Sequence, residues 1–554
     1  GKLAYENTHV FTEDPNRLIR VFRHQQLLNS TLDFELTLLI RESLPLITNH
    51  VIRSPEACQS FISILETPGQ VYPILQQMHE LGVLGKFIPE WEKLTCLVQH
   101  ELYHRYTADI HTLATIRELD TVFTSQDPTY EIYRTALRDT NKPTLLYLIL
   151  LLHDIGKAHG IKNHSLAGVK IAEPILDRFQ VHEKNKTTIL YVIRNHLEMV
   201  RFMQKYDLDD PDTAKAFSTQ IENVDNLRYL YVHTFCDARG TASSLWNSYK
   251  DTLHTTLFRN TVRALTSETA LNEQRAATFE EAKKSLRNMN IPEVSDEEIE
   301  AHIQLLPNRY FTQTKPEEVA LHVQMVNRLL KTISETDSVE TLNPVIDWKD
   351  DLNRGVTTVN IVTWDRSGLF YKLAGACSLV GLTILSAKAV SRQDNIAIDT
   401  FDIIEPGRGI VQKIEPFKKT LHQTLVEQKD LYSEIIQIAK SLEENLISSS
   451  TNPFHSTFPA DVHLYREEVF DRTIVEIEAP DHLGLLYLIG KTIFEKGFNI
   501  TFARINTARG AAIDTFHIEN AIENNPVPAP DSPQMIELKD LLLKIVTPSG
   551  SEPT

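Results

Sequence analysis

His153-Asp154 closes a run of eight uncharged residues, "LLYLILLL", Leu145 to Leu152. An apolar run ends on two ionisable groups only where something offsets the cost of drying them. Imidazole beside carboxylate suits a divalent cation. Further donors stand in order around the pair: His111 in "YHRYTADIHTLATI", His164 in "NHSLAGVKIA", His196 in "VIRNHLEMV" and Asp237 in "FCDARGT". With 21 histidines in the chain, one His-Asp pair is expected by accident, and a single helical histidine is more often packed core than ligand. Asp237 taken alone reads equally as a turn cap. The order of types separates the readings: His, His-Asp, two His, Asp, all in helical text. A metal centre is the expectation, with Mn or Mg first and Fe or Zn next. Neighbouring positions on a helix point about 100° apart, so His153 and Asp154 grip one ion, or two adjacent ions, from two sides. Lys157, a turn further on, brings a positive charge to the same place.

Helices must position these side chains. From Pro15 to about Leu342, apolar residues recur at three and four positions, as in "FISILETPGQVYPILQQMHELGVL". Polar breaks such as "TSQDP" and "DLDDPDT" punctuate that text, and Asp207 to Asp210 reads as a capped turn. From about Gly355 the pattern changes to alternating strands, "VTTVNIVTW", and the chain then repeats itself. "DRSGLFYKLAGACSLVGLTILSAKAV" begins at Asp365 and "DHLGLLYLIGKTIFEKGFNITFARIN" at Asp481; both run on to "AIDTF", ending at Phe401 and Phe516. Two copies of one module are expected, each strand, helix, strand, strand, a small α+β sandwich in the ferredoxin-like style. An amphipathic helix, roughly Val411 to Leu446, and a "SSSTNP" linker separate them. In each copy the first strand ends at Asp365 or Asp481, and Gly368 or Gly484 turns the chain into a helix. Free N–H groups at such a helix start suit the carboxylate of an amino acid; as plain structure, the Asp is an N-cap and the Gly serves the turn.

At 554 residues the chain has length for three or four domains. Its net charge of -18 argues against nucleic acid and anionic membranes as partners, and leaves small ligands and proteins. Cys58, Cys96, Cys236 and Cys377 are far apart, which suits a reducing cytoplasm and gives no hint of a thiolate zinc site. The longest apolar run is too short to cross a bilayer. The chain begins Gly-Lys rather than Met, as a piece of a longer protein would.

The order His111, His153-Asp154, His164, His196, Asp237 resembles the HD superfamily of metal-dependent phosphohydrolases. The wider text, "GVLGKFIPEW", "QHELYHRYTADIHTL", "LLHDIGK", "DLDDPDTAKAF", "LWNSYKDTL" and "RYFTQTKPEEVALHV", is similar to the PII uridylyltransferase/uridylyl-removing enzyme family. The tandem Asp-x-x-Gly-Leu modules resemble that family's two ACT domains. The resemblance implies an all-α HD domain over 31–345, ACT domains over 355–410 and 466–548, a helical linker over 411–465, and a connecting segment over 1–30. The family's N-terminal nucleotidyltransferase signature is missing ahead of residue 110. Truncation is the expected reason, because "ENTHVFTEDPNRLIRVFRHQQ" resembles the family's connecting segment.

Carried over by position, the resemblance makes His111, His153, Asp154 and Asp237 the first metal ligands, with His164 and His196 completing a second site. His153, Asp154 and Lys157 are the expected catalytic groups. The implied reaction is removal of UMP from a tyrosine of the uridylylated PII signalling protein, and glutamine is the implied effector. Its expected contacts are Asp365, Arg366, Ser367, Gly368 and Leu369 in one copy, and Asp481, His482, Leu483, Gly484 and Leu485 in the other. Asn195 stands where members commonly have a second histidine. Rival readings are an alarmone hydrolase of the (p)ppGpp type, another small-nucleotide phosphodiesterase, and a non-catalytic amino-acid sensor.

Overall fold

The computed structural model describes residues 1–97, 106–160, 163–242, 246–266, 280, 283–289, 291–335, 343–365, 368–439, 460–467, 471–508, 510–522 and 525–547. The chain packs as two compact units, one of residues 1–201 with 219–247, the other of 202–218 with 248–554. Among the described residues, no helix is long and apolar enough to cross a membrane.

The first unit is built from helices. Those that matter for the site are α1 (Pro55–Leu65), α2 (Ala108–Thr124), α3 (Leu145–Leu152), α4 (His164–Arg178), α5 (Glu183–Asn195) and α6 (Val224–Thr241). All eight side chains of α3 are buried, as befits a helix apolar on every face. It runs through the middle of the unit, against α2, α5 and α6. Tyr147, its one polar tip, donates to Asp120 Oδ1 at 2.5 Å and accepts the Gly69 N–H at 2.9 Å. Local signals fix the ends of its neighbours. Pro55 opens α1, and Asn223 caps α6 by accepting the Asn226 N–H at 2.9 Å.

The second unit contains α7 (Ser248–Thr266) and α8 (Pro316–Glu335), then the two repeats. The first repeat is β1 (Val345–Asp351), β2 (Val356–Trp364), α9 (Leu369–Val380), β3 (Thr383–Ser391), β4 (Ile396–Ile404) and α10 (Ile414–Leu425). The second is β5 (Asp461–Glu467), β6 (Arg472–Pro480), α11 (Leu485–Glu495), β7 (Phe498–Arg504), β8 (Ala511–Asn520) and α12 (Pro533–Val546). The strands form one sheet in the order β1-β2-β4-β3-β7-β8-β6-β5, a palindrome of the two copies. The join is antiparallel and short, with Ser386, Ala387 and Lys388 opposite Arg504, Ala503 and Phe502. One face of the sheet packs on the repeat helices through Phe370, Leu373, Phe401, Ile489, Phe498 and Phe516. On the other face, Val362, Ile396 and Ile398 meet Val319 and Val323 of α8. That second cover explains why β2 is buried on both sides rather than alternating.

Three details differ from expectation. Each copy opens with an additional strand, β1 or β5, hairpinned to the one the repeat announces. Each closes with a helix, α10 or α12. The single long helix expected over Val411 to Leu446 is interrupted: α10 ends at Leu425, Gln428 takes a φ of 54°, and a second helix starts at 432. The Asp430 carboxylate accepts the Tyr432 N–H at 3.0 Å, so the polar run Glu427 to Asp430 makes a turn with its own cap. The "SSSTNP" linker lies outside the described residues.

The "AIDTF" motif places an acid inside each copy. Asp514 on β8 is 2% exposed, and burial, reinforced by the charge of Asp481, pushes its pKa up to about 7. Its folded-state value therefore lies above the unfolded one. Between the two the native chain holds a proton the unfolded chain has lost, so stability falls as pH rises from about 4 towards 7 and is level above that. Asp514→Asn removes the penalty. Thermal unfolding should show the variant gaining roughly 1–4 kcal/mol over the parent at alkaline pH and much less in acid. An equal gain at both ends would contradict the assignment.

Candidate metal centre

The helix α3 ends at Leu152, and the next two residues leave it in different directions. His153 keeps helical angles (φ -58°, ψ -38°), whereas Asp154 turns into a 3₁₀ segment over Ile155–His159 (φ -102°, ψ 6°). That segment lies directly on α4. A Cβ on Gly156 would stand 2.0 Å from the His164 carbonyl oxygen and 2.5 Å from the Gly168 nitrogen. Only glycine lets the backbones approach so closely, and the contact carries His164 to the side of Asp154. A second close approach acts on α2 and α6. A Cβ on Gly240 would fall 2.7 Å from Thr115 Cγ2 and 2.8 Å from its nitrogen, and the crossing sets His111 against Asp237. His196 follows directly on the last residue of α5.

The six side chains expected to bind metal are brought together. His111 Nε2 lies 2.9 Å from Asp237 Oδ1 and 3.5 Å from Asp154 Oδ2. His153 Nε2 lies 3.3 Å from Asp154 Oδ2 and 3.7 Å from Asp237 Oδ1. Asp154 Oδ1 faces His164 Nε2 at 3.5 Å and His196 Nε2 at 3.9 Å, and those two nitrogens are 3.2 Å apart. Two donor sets result, His111-His153-Asp237 and Asp154-His164-His196, with one oxygen of Asp154 turned to each. Neighbouring ligands on an octahedral ion at about 2.1 Å are about 3 Å apart, so these spacings suit shared cations. His153 Nε2 is buried and makes no hydrogen bond among the described residues, while its Nδ1 is held by the Leu150 carbonyl at 2.7 Å. The Ile193 carbonyl holds His196 Nδ1 in the same way, at 2.7 Å. Both rings thus present Nε2 inwards.

Lys157 Nζ is 2.9 Å from Asp154 Oδ2. The sequence places its charge at the centre, and in the structure that charge rests on the shared carboxylate. Burial alone would raise Asp154, but His153 and Lys157 hold its pKa well below the usual carboxylate range; His111 and His153 do the same for Asp237. Burial also works against a charged His153, yet the Asp154 and Asp237 carboxylates keep its pKa up at about 10. Burial lowers His111, and burial together with the positive His153 drives His196 down to about 4. Two anions and the neutral His111 and His196 are already in the donor state that a divalent ion requires, whereas His153 gives up its proton when it becomes a ligand. Five of the six side chains are under a tenth exposed; Asp237, at 21%, marks the open side.

His233 is part of this cluster and was not anticipated. It is fully buried, with its ring 5.0 Å from that of His153 and 5.5 Å from that of His196. Its position four residues before Asp237 puts both on one face of α6, and that spacing was the available signal. Asn195, by contrast, donates to the Tyr191 carbonyl at 2.9 Å and only ends α5. Of the residues expected to hold an effector, Gly368 and Gly484 each sit just before a helix with left-handed angles. Arg366 and Ser367 lie outside the described residues.

The Gly240 crossing yields a direct test. Gly240→Val should destabilise the first unit by about 1–3 kcal/mol and weaken Mn binding in equilibrium dialysis, because it separates His111 from Asp237. Unchanged affinity would mean that this crossing does not set the donor spacing.

Residues 1–87 match the family model of the uridylyltransferase GlnD third domain, and residues 129–218 match that of the HD domain. The HD match includes His153, Asp154, His164 and His196; His111 and Asp237 lie beyond it, and the fold brings them in. A bifunctional uridylyltransferase/uridylyl-removing enzyme of Cereibacter sphaeroides is 29% identical over 94% of this chain and 54% of its own length. The Methylococcus capsulatus enzyme of that name is 29% identical over 88% of this chain and 54% of its own, and one from Caulobacter vibrioides 28% over 94% and 54%. The chain therefore spans about half the length of the curated relatives it matches. A solved CCA-adding enzyme in its apo form superposes with a TM-score of 0.31 at 12% identity, over 59% of this chain and 62% of that one, a likeness too slight to bear on the fold. The chain carries an HD-domain match behind a GlnD third-domain match and is a homologue, over most of its length, of bifunctional uridylyltransferase/uridylyl-removing enzymes.

Proposed function

We propose that the first unit is a metal-dependent phosphodiesterase that removes UMP from the uridylylated tyrosine of the PII signalling protein, and that glutamine governs it through the repeats, which we read as ACT modules. The observation that carries this reading is the convergence of four imidazoles and two carboxylates, with Asp154 shared between two donor sets. Four nitrogens against two carboxylates favour Mn over Mg, and Fe and Zn fit the same donors. A divalent ion there supplies Lewis acidity and a water acidified to near neutral pH.

The chain's own groups do the rest. His111, His153 and Asp237 make one donor set; Asp154 joins it to His164 and His196. Lys157 steadies Asp154 and brings positive charge to offset what a phosphoryl group gains during attack. The α3 wall keeps bulk water from the back of the site, which strengthens every interaction of charge inside it. Tyrosine leaves as a phenolate, so no strong acid is needed, and none is assigned. The names of the relatives support the uridylyl group as the one removed. We assign the effector contacts to the turns at Asp365, Gly368 and Leu369, and at Asp481, His482, Leu483, Gly484 and Leu485.

The test is incubation of the Mn-loaded chain with uridylylated PII, with and without glutamine, read by mass spectrometry. The uridylyl mass should disappear, and faster with glutamine. Chelation should stop the reaction and Mn restore it. On a nitrophenyl uridylyl ester, Asp154→Asn should cost roughly 10²–10³-fold in kcat, and Lys157→Met less, with KM little changed. Pyrophosphate release from the alarmone tetraphosphate, with PII untouched, would overturn the substrate.

A further inference from the structure

Two side chains reach the metal centre from one face of α6, a turn apart. Asp237 is an expected donor and stands on the open side; His233 is fully buried. Neither ring nitrogen of His233 has a hydrogen-bond partner among the described residues. Other buried histidines of the chain are provided for. His322 meets the Tyr310 hydroxyl at 2.7 Å through Nδ1 and Asn360 Oδ1 at 3.0 Å through Nε2, and His302 Nδ1 meets Arg392 Nη1 at 3.1 Å. Within the centre, the Leu150 and Ile193 carbonyls hold one nitrogen each of His153 and His196. An imidazole dried on every side with both nitrogens unanswered is costly unless a ligand answers one of them. An apolar side chain would fill the same space without that cost. The mark His233 carries, a buried nitrogen with no protein partner, is also that of His153 Nε2, an expected ligand.

The spacing agrees. The His233 ring centre lies 5.0 Å from that of His153 and 5.5 Å from that of His196, and those two are 5.4 Å apart. Within the expected donor sets the corresponding distances are 5.6 Å for His111 and His153, and 5.2 Å for His164 and His196. Imidazoles side by side on one ion, each bound at about 2.1 Å, have ring centres roughly 5 Å apart. Donors four residues apart on a helix also face one ion together, and His233 stands in that relation to Asp237.

We propose that His233 is a seventh donor of the metal centre, joining His111, His153 and Asp237 on one cation and closing it from the core side. The inference rests on the reading of the six other side chains as metal ligands, and is independent of the substrate. It gives the centre five imidazoles against two carboxylates, a set that turns it further from Mg towards Mn, Fe or Zn.

The test is nitrogen-15 spectroscopy of the full chain, labelled at histidine and loaded with Zn, in which a metal-bound ring nitrogen is told from a free one by its shift. The parent should show five bound nitrogens. His233→Leu should show four, and Zn affinity in equilibrium dialysis should fall about tenfold or more. His233→Gln, nearer in shape and polarity, repeats the measurement. Four bound nitrogens in the parent would overturn the seventh donor and leave the metal centre standing, and weaker Zn binding by the variant would then mark His233 as a support behind the ligands. A fifth signal that persists in both variants would also overturn it. No bound nitrogen in the parent would overturn the centre itself.

Discussion

Asp154 carries a negative charge into the middle of a helical core, where it is 2% exposed and two histidines stand against each of its oxygens. An isolated carboxylate in such a place is untenable, and a single neighbouring cation repays only part of the cost. The first unit answers by gathering positive and ligating groups from several helices around one residue. Lys157 reaches back a turn, His111 comes from the start of α2, His164 from the start of α4 and His196 from just past the end of α5. These helices are placed by the demand of that one carboxylate as much as by their apolar faces.

The same economy of contact recurs in the backbone. Gly156 and Gly240 contribute nothing to the chemistry directly, yet each removes a side chain where two segments must touch. Donor atoms 2.9 to 3.9 Å apart tolerate little displacement of the helices that bear them. Rigid helices crossing at bare backbone give that precision where loops would not.

The six candidate donors were legible because imidazole and carboxylate are the few types a metal site would use, and the structure brings all six together. His233 is hard to read because its one local signal, the four-residue spacing to Asp237, is equally that of a histidine packed in an ordinary core. The repeat was legible from Asp365 and Asp481 onwards, where the copies resemble each other. The strands β1 and β5 were not, since their partners in the hairpins lie in text the two copies do not share. The helix break at Gln428 was hidden by a continuous amphipathic pattern; the turn is set by one side chain, Asp430, capping the helix that starts at Tyr432.

The antiparallel join of β3 to β7 has a consequence for how such a duplication survives. A module of this kind, alone, would leave one of these strands as a bare border of unsatisfied amides and carbonyls, open to any extended chain it met. Here each copy serves as the other's lining, through Ser386 to Lys388 and Phe502 to Arg504. Cut between the copies, each half would expose that adhesive margin and tend to pair with its own kind, so the tandem arrangement guards against that association.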